Sequence, residues 1–381
     1  MWYLQVDTLL LTLALAVLFG IGGRLAARRR PGLRITRFLL VADLVLLAYV
    51  SPKLALFYFA YALGSYLLIR LLRAARRGRR ALFVLFCLLD AAPFFYVRAA
   101  ALVPSLPAFA VIVGFSYNML KAIDGLFFVY YTGRHIPLLA YANFLLFFPV
   151  ITAGPIFRYR DFQKLYEHPV LPDSEGVERQ VKRLIRGLFK KLVLVVWFRG
   201  ALDYVLTLGQ HVYTTLALVI LSYALLYLDL SGYSDIAIAV GSFTGITVPE
   251  NFKKPLSAAS FTQFWRRWHV TLSDWIREHI FVVVNGKRLN KYASALIGLL
   301  TMLVMSLWHN FSLLAVYNGL YMGGLLALEN LFGLTTVDRK AKKPVLYLRR
   351  AAVAFLFGIN AMFFLLEPPQ LLAALGGLWK L

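Results

Sequence analysis

The chain has 381 residues, 60% of them hydrophobic and 15% charged, with a mean hydropathy of +0.70, and such a chain cannot bury its apolar surface in one aqueous core. Lys and Arg outnumber Asp and Glu by 41 to 18, a net charge of +23; these residues lie between apolar runs rather than in a soluble module, which points to membrane topology and not to nucleic acid. The single cysteine, Cys87, excludes an intrachain disulfide and a cysteine-based metal site.

A membrane crossing takes about 20 helical residues, so the length accommodates on the order of ten spans with short connections. The first apolar run, Leu9 to Gly23, precedes Arg24, Arg28, Arg29, Arg30, Arg34 and Arg37. That order is the reverse of a cleavable signal and predicts a retained helix with its N-terminus outside. Phe38 to Val50 ends at Ser51-Pro52, and Leu54 to Leu72 ends in the cluster Arg70, Arg73, Arg76, Arg77, Arg79 and Arg80. The positive-inside bias puts both basic clusters on the cytoplasmic side, near anionic lipid. Further apolar runs cover Ala81 to Val103, Phe109 to Tyr131, Leu138 to Ile156, Leu192 to Leu208, Val212 to Leu230, Ala293 to Trp308, Leu313 to Phe332 and Ala351 to Leu366. Gly, Pro and polar residues interrupt Phe147 to Pro155 and Ser231 to Pro249. Broken backbone at membrane depth is tolerated only inside protein or beside a wet cavity, so these stretches predict a central chamber. No repeat or domain-sized linker divides residues 1–381, which read as one membrane domain.

Residues 177 to 192 predict an interfacial amphipathic helix. Val177, Val181, Leu184, Ile185 and Leu188 recur on one face, and Arg179, Lys182, Arg183, Arg186 and Lys190 on the other. Such a helix lies on the cytoplasmic leaflet, or serves as the docking surface of an acidic soluble partner.

The stretch Phe261 to Arg277 is the richest in chemistry. Read as one helix at about 100° per residue, it gathers Phe261, Phe264, Trp265, Trp268, Leu272, Trp275 and Ile276 on one face and Arg266, His269, Ser273 and Arg277 in a stripe opposite. The stripe is either a wet interfacial face or the wall of a path for a polar substrate. His309 follows a long apolar run, and a histidine at membrane depth is a candidate general base. The alternative is a histidine satisfied by a carbonyl or by Asn310. His135, His168 and His211 read as loop residues, and His279 follows Glu278 near the end of the aromatic stretch. No metal-ligand spacing, Gly-x-Ser-x-Gly elbow or phosphate-binding loop appears.

Three blocks then carry a resemblance: Phe147-Phe-Pro-Val-Ile-Thr-Ala-Gly-Pro-Ile-Phe-Arg-Tyr-Arg-Asp-Phe162; Leu230-Ser-Gly-Tyr-Ser-Asp235 through Pro249-Glu-Asn-Phe252 to Phe264-Trp-Arg-Arg-Trp-His-Val-Thr-Leu-Ser-Asp-Trp275; and Ser306-Leu-Trp-His-Asn310. Their order and spacing over residues 147–310 resemble the membrane-bound O-acyltransferase family, in its bacterial branch of alginate O-acetylation and teichoic acid D-alanyl transfer proteins. The resemblance implies an all-α polytopic membrane protein, a ring of about ten transmembrane helices with broken segments around a thinned centre. It implies an acyltransferase of the bacterial cell membrane that moves an acyl group from the phosphopantetheine thioester of an acidic acyl carrier protein to hydroxyls of an extracytoplasmic cell-envelope polymer. No bound cofactor is implied, and an accessory membrane subunit is left open. His309 takes the catalytic role and His269 a supporting one, with Arg266, Ser273, Arg277, Asn251 and Asn310 as substrate contacts. Asn310 or a backbone amide would stabilise the oxyanion. The basic face Arg179, Lys182, Arg183, Arg186 and Lys190 would receive the carrier.

The compact length favours D-alanyl transfer to teichoic acid and Ser231 to Asp235 favours O-acetylation of an exopolysaccharide or peptidoglycan; D-alanyl transfer is the first expectation and O-acetylation the alternative. Asn310 where Gly is usual, Glu278-His279 where an Asp-aromatic pair is common, and Val283-Val-Asn-Gly286 depart from the family pattern and bear on the acyl group and acceptor. Outside acyl transfer, a carrier or flippase for lipid-linked sugars would use the same polar stripe as a transport path.

Overall fold

The computed structural model describes residues 6–29, 35–100, 114–281, 290–336 and 342–380, and every regular element among them is helical. The departure at Val283 to Gly286 lies outside the described residues. Among the described residues six helices are long and apolar enough to cross a membrane: α1 (Val6–Arg29), α3 (Pro52–Ala74), α4 (Arg79–Ala100), α10 (Val212–Phe243), α13 (Lys291–His309) and α15 (Lys343–Leu365). The chain is a multi-pass integral membrane protein. Six falls below the expected ten because several apolar runs form short helices. α2 (Leu39–Val50), α6 (Leu138–Leu146) and α9 (Val195–Thr207) have 12, 9 and 13 residues, at most about 20 Å of rise against about 30 Å of hydrocarbon.

The chain divides into two compact units, Met1–Ile185 with Ser234–Pro249, and Arg186–Tyr233 with Glu250–Leu381. In the first unit the interruption expected after Phe147 is present. α6 stops at Leu146, a single 3-10 turn covers Phe148–Val150, and α7 (Tyr159–Glu167) begins nine residues later. The unpaired backbone of this segment is satisfied by buried side chains. From α5 (Phe115–Thr132), Lys121 Nζ donates to the carbonyls of Phe144 (3.3 Å) and Leu145 (2.5 Å), and Asn118 Nδ2 donates to that of Ile151 (3.1 Å). Asp43 Oδ1 accepts from the Phe148 amide (2.8 Å), and Asp124 Oδ2 from the Tyr159 amide (2.5 Å). Four polar residues inside apolar helices thus replace the helical ladder that this stretch gives up, which is the condition for irregular backbone in a membrane.

The second expected interruption, Ser231 to Pro249, is corrected in its first part: α10 runs unbroken through Ser231 and Gly232 to Phe243, and the helix stops only there, residues 244–249 being irregular. Gly232 is where the π-helical turn Lys190–Leu194 packs against α10, and a Cβ there would lie 3.0 Å from Lys190 Cβ and Lys191 Cγ. Lys191, buried, ion-pairs with Asp229, and Lys190 Nζ donates to Ser231 Oγ at 3.2 Å. The polar residues that read as a break are therefore the sockets of two lysines.

The second unit is centred on Leu202, Leu218, Val219, Leu225, Met362, Leu366 and Leu371. Its helices start on side-chain caps: Ser260 for α11 (Phe261–Trp265), Asn290 for α13 and Ser312 for α14 (Leu313–Leu331), each accepting from the amide three residues on. Gly319 and Gly323 let α14 approach α13 closely, since a Cβ on either would come within 2.8 Å of the Leu303 or Leu299 Cα. This hairpin fixes the end of α13, where His309 stands.

Candidate functional site

Phe261 to Arg277 is not one helix. α11 ends at Trp265, and α12 (Val270–Ile276) starts after His269, whose backbone is left-handed at φ 44, ψ 50. A β-carbon-bearing residue pays for that conformation, and its surroundings must impose it. Asn251 does so. Its carbonyl accepts from the Val270 amide (2.9 Å), and its side-chain Oδ1 accepts from the Thr271 amide (3.3 Å) and hydroxyl (2.9 Å). A further bond, Lys253 amide to Arg267 carbonyl (2.8 Å), closes the other side of the turn. Asn251, expected among the substrate contacts, is 2% exposed and braces the backbone that follows His269.

The break also disperses the expected polar stripe. Arg266 and Arg277 are exposed, Arg277 in an ion pair with Asp274 (2.8 Å), while Ser273 Oγ donates to the Trp268 carbonyl (3.4 Å). His269 alone is carried inward, to 4% exposure. Trp268 beside it packs with Tyr223, Tyr227, Phe252, Phe264 and Phe357, ring centres 4.6 to 6.0 Å away. The start of α11 is held from α14 by Glu329, whose carboxylate accepts from the Phe261 amide (2.6 Å), the Thr262 amide (2.8 Å) and the Thr262 hydroxyl (2.6 Å). Sequence reasoning passed over Glu329; its signal was a lone acid within the apolar run Leu313 to Phe332.

His309 is the last residue of α13 and is half-buried, more accessible than its apolar context led us to expect. Its ring lies 4.7 Å from Trp308 and 5.4 Å from Phe364 of α15, the latter edge to face. Burial pushes the pKa of His269 down to about 3, and the neighbouring His309 lowers it further by charge repulsion. The second unit therefore holds two histidines in electrostatic contact, one kept neutral and one at an accessible helix end. Asn310 is exposed, in extended backbone, and its amide donates to the Ser306 carbonyl (3.1 Å) as the helix cap. His279 is buried, stacked at 4.3 Å on Trp275 with Nδ1 2.9 Å from the Trp275 carbonyl. Among the described residues no group of three or more His, Cys, Asp or Glu side chains could hold a metal ion.

The amphipathic helix is α8 (Ser174–Phe189), and part of its expected basic face is turned inward. Its apolar residues Val181, Ile185 and Phe189 are 41%, 59% and 51% exposed, whereas Gly176 and Gly187 are buried. Arg183 points inward to the buried Asp235 (2.9 Å), and Lys190 is taken up by Ser231 and lies over the Tyr227 ring. These two are withdrawn from the expected basic face by the acidic and hydroxyl groups of α10. Arg179, Lys182 and Arg186 remain exposed; Arg179 meets Asp173 and Glu175, and Lys182 meets Glu178.

The membrane-bound O-acyltransferase family profile matches residues 34–365. A probable alginate O-acetylase of Pseudomonas syringae is 34% identical over 230 residues, 59% of this chain and 44% of that protein. A peptidoglycan O-acetyltransferase of Helicobacter pylori is 30% identical over 211 residues, 52% of this chain and 38% of that protein. A teichoic acid D-alanyltransferase of Streptococcus thermophilus is 27% identical over 273 residues, 65% of this chain and 64% of that protein. The chain spans about half the length of the curated relatives it matches.

Proposed function

The chain belongs to the membrane-bound O-acyltransferase family, and from that premise we propose that it transfers an acyl group from a thioester to a hydroxyl of a cell-envelope polymer at the bacterial cytoplasmic membrane. The observation that carries this reading is the division of labour between its two histidines. His269, held neutral to about pH 3, is too weak a base to take a hydroxyl proton near neutrality, and serves as a neutral partner. His309, at the accessible end of α13, takes the proton as the hydroxyl oxygen bonds to the thioester carbonyl carbon. When the carbon–sulfur bond breaks, the proton leaves His309 for the departing sulfur, so that ester and thiol are the products and the imidazole is restored. No metal ion and no acyl-enzyme is required by this balance.

The higher identity to O-acetylases (34% against 27%) supports acetyl as the acyl group and reverses the preference that chain length gave to D-alanyl. D-alanyl transfer remains the second reading, because 64% of the streptococcal D-alanyltransferase is matched. In either case the donor is the thioester of an acidic phosphopantetheine carrier or its small-molecule equivalent. A carrier would approach the exposed Arg179, Lys182 and Arg186.

The test is purified protein in detergent with acetyl or D-alanyl thioester and a hydroxyl-bearing envelope oligosaccharide, followed by mass spectrometry of the ester. His309→Ala is expected to abolish transfer while the protein stays folded. Transfer by that variant at a wild-type rate would remove His309 as the base. Transport of a lipid-linked sugar in vesicles without ester formation would establish the flippase reading instead.

A further inference from the structure

We propose that the side-chain amide of Asn360 donates a hydrogen bond to the thioester carbonyl that reacts beside His309; the proposal rests on the acyl-transfer reading above. Three observations support it. The first is burial: Asn360 lies inside the apolar helix α15 and is 3% exposed, yet among the described residues its amide has no hydrogen-bond or ionic partner. A polar group in that position is costly to the fold unless something else engages it. The second is register. Phe357, one turn earlier on α15, packs on Trp268 at 4.6 Å, immediately before His269, and Phe364, one turn later, meets the His309 ring at 5.4 Å. At about 100° and 1.5 Å per residue, Asn360 falls within roughly 60° of both phenylalanines and between them in height. It therefore stands on the wall of α15 that runs from the His269 turn to His309. On the other side of Asn360, Tyr321 of α14 donates its hydroxyl to the Leu356 carbonyl (2.9 Å), which closes that flank with protein.

The third observation is that Asn310, the donor suggested by the sequence, is exposed and has already given its backbone amide to the Ser306 carbonyl. Acyl transfer generates negative charge on the carbonyl oxygen, and a donor fixed in a water-poor site stabilises it more than solvent does. A carboxamide suits this position better than a lysine or arginine, because it donates without placing a charge inside an apolar helix. On this geometry the acyl carbonyl lies between His309 and α15, with the hydroxyl entering from the exposed side of His309.

The experiment compares wild type, Asn360→Leu and Asn360→Asp in turnover, in melting temperature, and in calorimetric affinity for the unreactive ketone in which a methylene replaces the sulfur of acetyl-pantetheine. Leu keeps the volume and removes the donor; Asp keeps the shape and offers only acceptors when ionised. Both are expected to lower kcat about 100-fold, and Leu to bind the ketone about fivefold more weakly. Leu should melt near the wild-type temperature, because no described residue loses a hydrogen-bond partner with the amide. A purely structural asparagine would give the opposite: lower melting with kcat retained. Retention by Asn360→Leu of more than a third of the wild-type kcat, or equal ketone affinity in the two proteins, overturns the proposal, as does a wild type that does not bind the ketone. His309→Ala separates the two readings. If that variant is as active as wild type, the base assignment fails, while ketone affinity still decides for or against Asn360.

Discussion

Replacing His269 by glycine and by alanine should produce an inverted stability order. Both substitutions remove the imidazole, so they differ only in how each residue takes the backbone at φ 44, ψ 50. Alanine must hold its Cβ against the following carbonyl, at a cost of about 1–2 kcal/mol, while glycine adopts this region freely. Glycine loses about 0.5–1 kcal/mol more through its looser unfolded chain, so the net advantage of Gly over Ala is about 1 kcal/mol. At an ordinary helical site the sign reverses. Lys182, exposed within α8, should be less stable as Gly than as Ala by about 1 kcal/mol. Both pairs are read by thermal unfolding in one detergent, where a difference of about 1 °C in each direction is expected for a chain of 381 residues. If His269→Ala melts at or above His269→Gly, the backbone at this position is not imposed by its surroundings, and the role given to Asn251 falls with it.

Three further outcomes follow from the same geometry. Because the folded pKa of His269 lies near 3 against 6.5 for an ordinary histidine, the unfolded chain binds the proton first as pH falls; stability is complete above about 6.5 and is lost below it, by about 2 kcal/mol at pH 5. His269→Gln should remove that part of the slope in melting temperature between pH 7 and pH 5, and an unchanged slope would refute it. Asn251→Asp keeps the oxygen that Thr271 uses and should melt near wild type, whereas Asn251→Ala leaves a buried amide and hydroxyl without that acceptor and should cost about 2–3 kcal/mol. Equal melting of the two variants would show that Oδ1 does not hold the turn. Reversing Lys182 and Arg186 to Glu should weaken carrier binding in neutral detergent in a salt-dependent way without lowering the melting temperature. Arg183→Glu should lower the melting temperature, since it sets a second carboxylate against the buried Asp235; the reverse pattern would put Arg183 back on the docking face.

What the sequence made legible was set by period and punctuation. The start of α3 follows from Ser51-Pro52, and the break after Phe147 from its Pro and Gly residues, whereas the caps Asn290 and Ser312 became visible only in the structure. Hydropathy alone cannot say whether an apolar run is long enough as a helix, because chain trajectory decides where it stops, and α2 and α9 stop early. The wheel drawn over Phe261 to Arg277 failed for a related reason. Periodicity assumes continuous helical dihedrals, while a single left-handed residue at position 269 rotates everything after it. Nothing local marks that residue, since the force that imposes it comes from Asn251, eighteen positions earlier. The family blocks nonetheless carried Asn251, His269 and His309 together, and all three belong to the second unit.

The polar residues within apolar helices were the least legible feature and turn out to be the most informative. Lys121, Asn118, Asp43 and Asp124 each spend their polar atoms on backbone that the Phe147 segment leaves unpaired; Glu329 does the same for the start of α11. Once those are accounted for as structural, the presumption that a polar residue at membrane depth is functional narrows sharply. It no longer attaches to these charged residues, which a hydropathy plot would single out first. In the proposed function it attaches to the histidine pair and to Asn360, an uncharged asparagine whose amide no described residue engages. Around the Phe147 segment, charge inside apolar helices marks where the backbone is irregular, and in the proposed function the chemistry is carried by neutral groups, which need no counter-ion to be buried.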